Sequence, residues 1–139
     1  VEYDNPRCIF IRDGEVIKIP RNTRVVQDKE INEFRFTVKK GDALILLSDG
    51  TIHAGVGKSM TFGWPWKDIA EFVVRQREHA ISSIRLAAAV CEECDKLYEG
   101  KPGDDTPVAV MQIIDRRPVH LMTGPPVDRD DDERLSRSL

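Results

Sequence analysis

The stretch KKGDALILLSDGTIHAGVG (residues 39–57) decides the fold. Its apolar run, ALILL, ends at Ser48-Asp49-Gly50, and a loop of small residues that carries His53 follows. A continuous apolar run bounded by turn residues predicts a strand that is buried on both faces and central in a covered sheet. The Asp-Gly pair has two interpretations, because it is typical of a simple turn and also of a strand end that presents a carboxylate to a cleft.

Further strands are predicted on both sides of this run. CIFIRDGEVIKIP (residues 8–20) predicts a β-hairpin that turns at Asp13-Gly14. EFRFTV (33–38) alternates apolar and polar residues and predicts a half-buried strand. PVAVMQII (107–114) predicts a second fully apolar strand, and PVHLM (118–122) a further short one.

Two helices are predicted between these strands. Apolar residues recur at helical spacing from Trp66 to Val74, which predicts a helix that begins near Pro65. Ser82 is the predicted N-cap of a second helix, and Gly100 is its predicted stop. The inner face of this second helix is expected to contain Ala87, Val90, Cys91, Cys94, Leu97 and Tyr98. Strands followed by paired helices predict an α+β domain of packed layers.

Composition excludes several classes of function. The 139 residues suffice for one domain, and their formal net charge of −3 favours neither nucleic acid nor a membrane surface as a partner. No apolar run approaches the roughly 20 residues of a membrane span, and the first residues lack the layout of a signal peptide. Three cysteines form no disulfide framework, which favours a cytoplasmic setting. We expect the sequence to be a piece of a longer protein.

Two acidic segments are candidate ligands for a metal ion. Asp49 stands at the exit of one apolar strand, and Asp104 and Asp105 stand just before the other. If the two strands are antiparallel neighbours, these acids lie at the same edge of the sheet. Adjacent carboxylates repel each other unless a cation is near, and carboxylates are ligands that Mg²⁺ and Mn²⁺ prefer. Each segment alone is more simply a turn, but together they indicate a metal site.

A zinc or redox motif is a weaker alternative. Cys91-x-x-Cys94 has a suitable spacing, but both sulfurs fall on the apolar stripe of the second helix. Only the scattered residues Cys8, His53 and His79 could complete a tetrahedral site.

The acidic segment DRDDDE (128–133) resembles the opening of a calcium loop. That loop needs Gly at its sixth position and Glu at its twelfth, where this sequence has Glu133 and Leu139. A Ser/His/Asp triad stays open as an alternative, although the sequence contains no Gly-x-Ser-x-Gly elbow.

Residues 39–57, followed two helices later by GDDTPVAVMQI (103–113), resemble one family of enzymes. They are similar to the C-terminal half of the metal-dependent (PPM, type 2C) serine/threonine phosphatases, in the bacterial branch named for stage II sporulation protein E. The similarity extends over residues 9–114. It implies a PPM-type αββα sandwich, in which helices flank two packed antiparallel sheets, present here as a partial domain. Residues 1–116 would belong to the phosphatase domain, and 117–139 would be an extension that leads to a further element.

The resemblance also implies roles for individual residues. Asp49 and Asp104 match the family's metal-ligating catalytic aspartates, and Asp105 matches the neighbouring ligand position. Gly50 would support the turn after the first ligand. His53 is a candidate substrate contact, with an ordinary loop histidine as the alternative.

The implied activity is hydrolysis of phosphoserine or phosphothreonine in a bacterial regulatory protein. Two Mn²⁺ or Mg²⁺ ions, about 3.5–4 Å apart, would activate the attacking water. The expected partner is a phosphoprotein substrate, with an anti-anti-sigma-type regulator as one candidate and a homodimer as an expected association. No contact with nucleic acid or membrane is expected.

Two departures from the family keep a second hypothesis open. Pro107 stands where the family usually has Thr, and the family's first Asp-Gly motif, which bridges the metals, has no match because Asp13-Gly14 fits a hairpin turn better. The alternative is a catalytically silent PPM-fold module for binding or dimerisation in a signalling or sporulation protein. We expect the isolated chain to have weak or no activity and to expose a strand edge that favours association.

Overall fold

The structure, a computed structural model, describes residues 1–79, 81–101 and 103–114. The predicted strand at 118–122, the extension 117–139 and the loop at 128–139 lie outside these residues. The described elements are β1 (Ile9–Arg12), β2 (Glu15–Val16), β3 (Asn22–Val26), β4 (Lys29–Glu33), β5 (Ala43–Leu47), α1 (Asp49–Ile52), α2 (Trp66–Glu78), α3 (Ser83–Leu97) and β6 (Val108–Gln112).

The main sheet has four antiparallel strands in the order β2-β1-β5-β6. The predicted hairpin is confirmed, because β1 and β2 are joined by Asp13 and Gly14, with φ angles of 52° and 82°. Two successive left-handed residues form the turn type whose twist matches that of paired strands. Strand β5 is central, as predicted, and the α+β class is confirmed.

A second, two-stranded sheet pairs β3 with β4, and here the predicted strand at 33–38 is wrong. Strand β4 ends at Glu33, and the segment after it is irregular. The Phe36 ring lies 4.6 Å from that of Phe10, and the Thr37 carbonyl accepts a hydrogen bond from Arg12. The alternating pattern therefore reflects aromatic packing on the main sheet rather than pairing in a strand.

The hydrophobic core lies between one face of the main sheet and helices α2 and α3. Its innermost residues, all less than 2% exposed, include Ile9, Ile11, Ile45, Ile69, Val73, Leu86, Val90 and Cys94. Ser82 caps α3 as predicted, since its side chain accepts a hydrogen bond from the Arg85 amide. Half of the predicted inner face is confirmed, because Val90, Cys94 and Tyr98 are buried. Ala87, Cys91 and Leu97 are only half-buried, and Leu86, which was not predicted, is fully buried.

The opposite face of the main sheet is partly exposed, so the prediction that β5 is buried on both faces is wrong. We call the face formed by Leu44, Leu46, Ala109 and Met111 the outer face. Leu46 is 47% exposed and Met111 56% exposed, because both helices pack on the other side of the sheet. Within the described ranges, no helix has the length and apolarity needed to cross a membrane.

Candidate metal centre

Strands β5 and β6 place the two acidic segments at one end of the main sheet. The strands are antiparallel neighbours, and their last paired residues at this end are Leu47 and Val108. Asp49 follows β5 by two residues, and Asp104 and Asp105 precede β6 by four and three residues. The expected antiparallel pairing is confirmed.

Asp49 begins a single helical turn, α1, rather than an open loop. Ser48 precedes it in an extended conformation, and the Thr51 amide donates to the Ser48 carbonyl over 3.1 Å. The His53 amide closes the turn on the Asp49 carbonyl at 2.9 Å. The turn leaves the Asp49 side chain exposed at the end of the sheet, while Gly50 is buried.

Gly50 brings the two acidic segments into contact. A Cβ atom at Gly50 would lie 2.0 Å from the Asp105 carbonyl oxygen and 3.5 Å from Asp104 Cβ. Only glycine permits this approach without displacing the other backbone. The Ser48 hydroxyl donates to the same Asp105 carbonyl at 3.3 Å, and the Asp105 amide donates to Asp104 Oδ1 at 2.8 Å. The Asp49 and Asp104 segments are therefore held against each other.

Tyr98, whose sequence pattern predicted only a core residue, also belongs to this region. Its hydroxyl donates to the Gly50 carbonyl at 2.9 Å. Burial, and next the charge of Asp104, raise the pKa of Tyr98 above its ordinary value. A buried tyrosine hydroxyl usually has a hydrogen-bond partner, and this general preference was the only sequence signal for the Tyr98 contact.

The carboxylates suit a hard cation that keeps several of its waters. Asp49, Asp104 and Asp105 are exposed, and no ion pair among the described residues involves them. The part of the chain that the structure describes contains no cluster of three or more His, Cys, Asp or Glu able to hold a metal. His53 is exposed and is not part of such a cluster. Mg²⁺ commonly binds through one or two carboxylates and waters, so the donors present fit an incomplete site.

The fold is similar to that of a solved phosphatase domain. The sequence matches no protein-family profile and no curated protein. The chain is similar to the phosphatase domain of the cell fate determinant SpoIIE from Bacillus subtilis, with a TM-score of 0.53 and 19% identity over 84% of this chain and 51% of that one. A structure of the same domain presoaked with Mn has a TM-score of 0.53 and 18% identity over 82% and 49% of the two chains. The chain thus spans about half the length of these structures, and the likeness confirms the predicted partial fold.

Proposed function

We propose that this chain is the C-terminal half of a PPM-type protein phosphatase domain that hydrolyses phosphoserine or phosphothreonine in a bacterial regulatory protein. The observation that carries the proposal is the contact between Gly50 and the Asp105 carbonyl, which holds two aspartate segments together at the sheet end. The fold that contains this contact is shared with a phosphatase domain.

Asp49 and Asp104 are the proposed ligands of a divalent cation, and Asp105 is the neighbouring candidate. Their exposure leaves room for water and for a phosphoryl group beside the carboxylates. When bound, Mn²⁺ or Mg²⁺ ions supply an activated water and neutralise phosphoryl oxygens. The chain's own part is to hold the carboxylates in a fixed arrangement, and His53 is proposed as a contact to the substrate.

We also propose that the remaining ligands lie in the other half of the domain, since this chain spans about half of the similar structures. Residues 1–116 would form the phosphatase part and 117–139 an extension. A phosphoprotein, such as an anti-anti-sigma-type regulator, is the proposed substrate in the cytoplasm, and a homodimer is the proposed assembly.

The proposal is tested in the longer protein that contains this chain. Asp49→Asn and Asp104→Asn should each reduce Mn²⁺-dependent release of phosphate from a phosphoserine peptide by at least about a hundredfold. Asp28→Asn, in the exposed turn between β3 and β4, is the matched control and should keep the normal rate. Normal rates in both site variants would refute the assignment.

The isolated chain provides a separate test of the missing ligands. It should show little or no hydrolysis of p-nitrophenyl phosphate with Mn²⁺, because two aspartates alone make an incomplete site. Rapid turnover by the isolated chain would show that its own residues are sufficient for catalysis.

A catalytically silent binding module is the second candidate function. It is favoured by the absence, within the described residues, of a cluster of three potential ligands. Elemental analysis of the longer protein distinguishes the two functions, since stoichiometric Mn²⁺ supports the phosphatase and no bound metal supports the silent module.

A further inference from the structure

Lys58 connects the loop after α1 to the end of α3. Its ammonium group donates to the carbonyl oxygens of Tyr98 and Lys101, each at 2.5 Å. The adjacent Ser59 hydroxyl donates to the Leu97 carbonyl at 2.6 Å. Carbonyls at a helix C-terminus lack partners inside the helix, and a positive charge there is favourable. We call residues 55–60 the cap loop, because they bind the Leu97 and Tyr98 carbonyls at the end of α3 and the Lys101 carbonyl shortly after it.

Tyr98 continues this connection to both acidic segments. Its hydroxyl donates to the carbonyl of Gly50, the residue directly after Asp49. Its ring lies 3.6 Å from where a Cβ atom of Gly103 would be, directly before Asp104. The side chain is 4% exposed, so its position is fixed by packing. One residue thus contacts the backbone next to each candidate ligand.

Successive contacts connect the cap loop to both acidic segments. Gly50 packs on Asp105, Tyr98 binds Gly50, and Lys58 binds the carbonyls of Tyr98 and Lys101. The Lys58 ammonium also lies 5.8 Å from the centre of the Tyr98 ring. A displacement of the cap loop would therefore shift the backbone that carries both carboxylates.

We propose that Lys58 and Tyr98 are positioning residues that fix the arrangement of Asp49 and Asp104 and so set the affinity of the site for a divalent cation. The proposal rests on the proposed function, because it takes these two aspartates as ligands. Residues that orient metal ligands from outside typically change metal affinity by about 10- to 100-fold when they are replaced.

Two simpler roles make different predictions for Lys58. If Lys58 only caps α3, its replacement lowers the unfolding temperature and leaves Mn²⁺ affinity unchanged. If it acts only through its charge, its removal reduces repulsion of the cation and strengthens Mn²⁺ binding. Positioning alone predicts weaker Mn²⁺ binding after a positive charge has been removed.

The test is Mn²⁺ titration of the longer protein that contains this chain by isothermal calorimetry, with folding checked by circular dichroism. Tyr98→Phe and Lys58→Met should each weaken Mn²⁺ binding by about tenfold, and Lys58→Arg should recover part of the loss. Tyr3→Phe and Lys67→Met are matched controls at exposed positions and should bind as the unchanged chain does.

The outcomes separate the two proposals. Unchanged or tighter Mn²⁺ binding by folded Tyr98→Phe and Lys58→Met overturns the positioning role and leaves the proposed function intact. If the unchanged longer protein binds no Mn²⁺ that depends on Asp49, the proposed function fails and the positioning role fails with it.

Discussion

Gly50 is the residue on which contact between the acidic segments depends. We expect Gly50→Ala to destabilise the protein by about 1–3 kcal/mol, because a Cβ atom 2.0 Å from the Asp105 carbonyl must displace that backbone. The sign is informative, since alanine normally stabilises a helical position by about 1 kcal/mol relative to glycine. Thermal unfolding followed by circular dichroism measures it.

Gly103→Ala is the matched control for that variant, because its Cβ would meet only the Tyr98 ring at an ordinary distance of 3.6 Å. This control should unfold within a few degrees of the unchanged protein. A Gly50→Ala protein as stable as Gly103→Ala would show that the two segments can separate at no cost.

Asp42 gives a residue-scale prediction about pH. It is 1% exposed and accepts hydrogen bonds from Arg12 Nε at 2.9 Å, Arg12 Nη2 at 2.6 Å and the Lys39 amide at 2.7 Å. The Arg12 guanidinium foremost lowers the pKa of Asp42 from 3.8 to about 2. Because the folded pKa is the lower one, the stabilisation is present above pH 3.8 and is lost as the pH falls towards 2.

Replacement of this carboxylate should remove that part of the pH dependence. We expect Asp42→Asn to be less stable than the unchanged protein at pH 7 and to lose less stability between pH 4 and 2, as urea unfolding midpoints would show. Asp28→Asn should follow the unchanged protein throughout. The same acid slope in Asp42→Asn and the unchanged protein would contradict the assignment.

At the scale of elements, burial determines the chemistry of the cysteines, two of which lie on α3. Burial raises the pKa of Cys94 to about 12 and that of Cys8 to about 11, and it also raises the pKa of Cys91. A thiol must ionise to react or to bind zinc. We therefore expect slow reaction of the folded protein with a disulfide reagent at pH 7.5, with the half-buried Cys91 reacting first. Rapid labelling of Cys94 would revive the zinc or redox hypothesis.

The helices and strands differ in how far local sequence patterns predict them. The β1–β2 hairpin, β5, both long helices and β6 were predictable, because turn chemistry and apolar periodicity are local. The β3–β4 hairpin was not, since its strands are largely exposed and its turn places Gln27 and Asp28, rather than glycine, at positive φ. The placement of Asp49 and Asp104 at the same end of the sheet was also predictable, because it follows from the antiparallel pairing of β5 with β6. The contacts of Lys58 and Tyr98 join segments that are distant in the sequence, so no local sequence pattern predicted them.

At the scale of the whole molecule, the outer face is partly exposed in the structure of the described residues. Leu46 and Met111, 47% and 56% exposed, lie on neighbouring strands of the main sheet. The sandwich that the family resemblance implies would cover such a face with a second sheet. We expect the isolated chain to self-associate through this face, and Leu46→Lys to increase the monomer fraction in sedimentation velocity.

Val25→Lys is the control for that experiment, since Val25 is 68% exposed on the separate β3–β4 sheet. It should leave the association unchanged. An equal loss of association in both variants would mean that the outer face has no special role.

The most direct test of the account is Mn²⁺ titration of the isolated chain and its aspartate variants. We predict a single weak Mn²⁺ site, which Asp49→Asn and Asp104→Asn each weaken by at least about tenfold and which Asp28→Asn leaves unchanged. Unchanged affinity in Asp49→Asn or Asp104→Asn would contradict the claim that these two aspartates form one cation site.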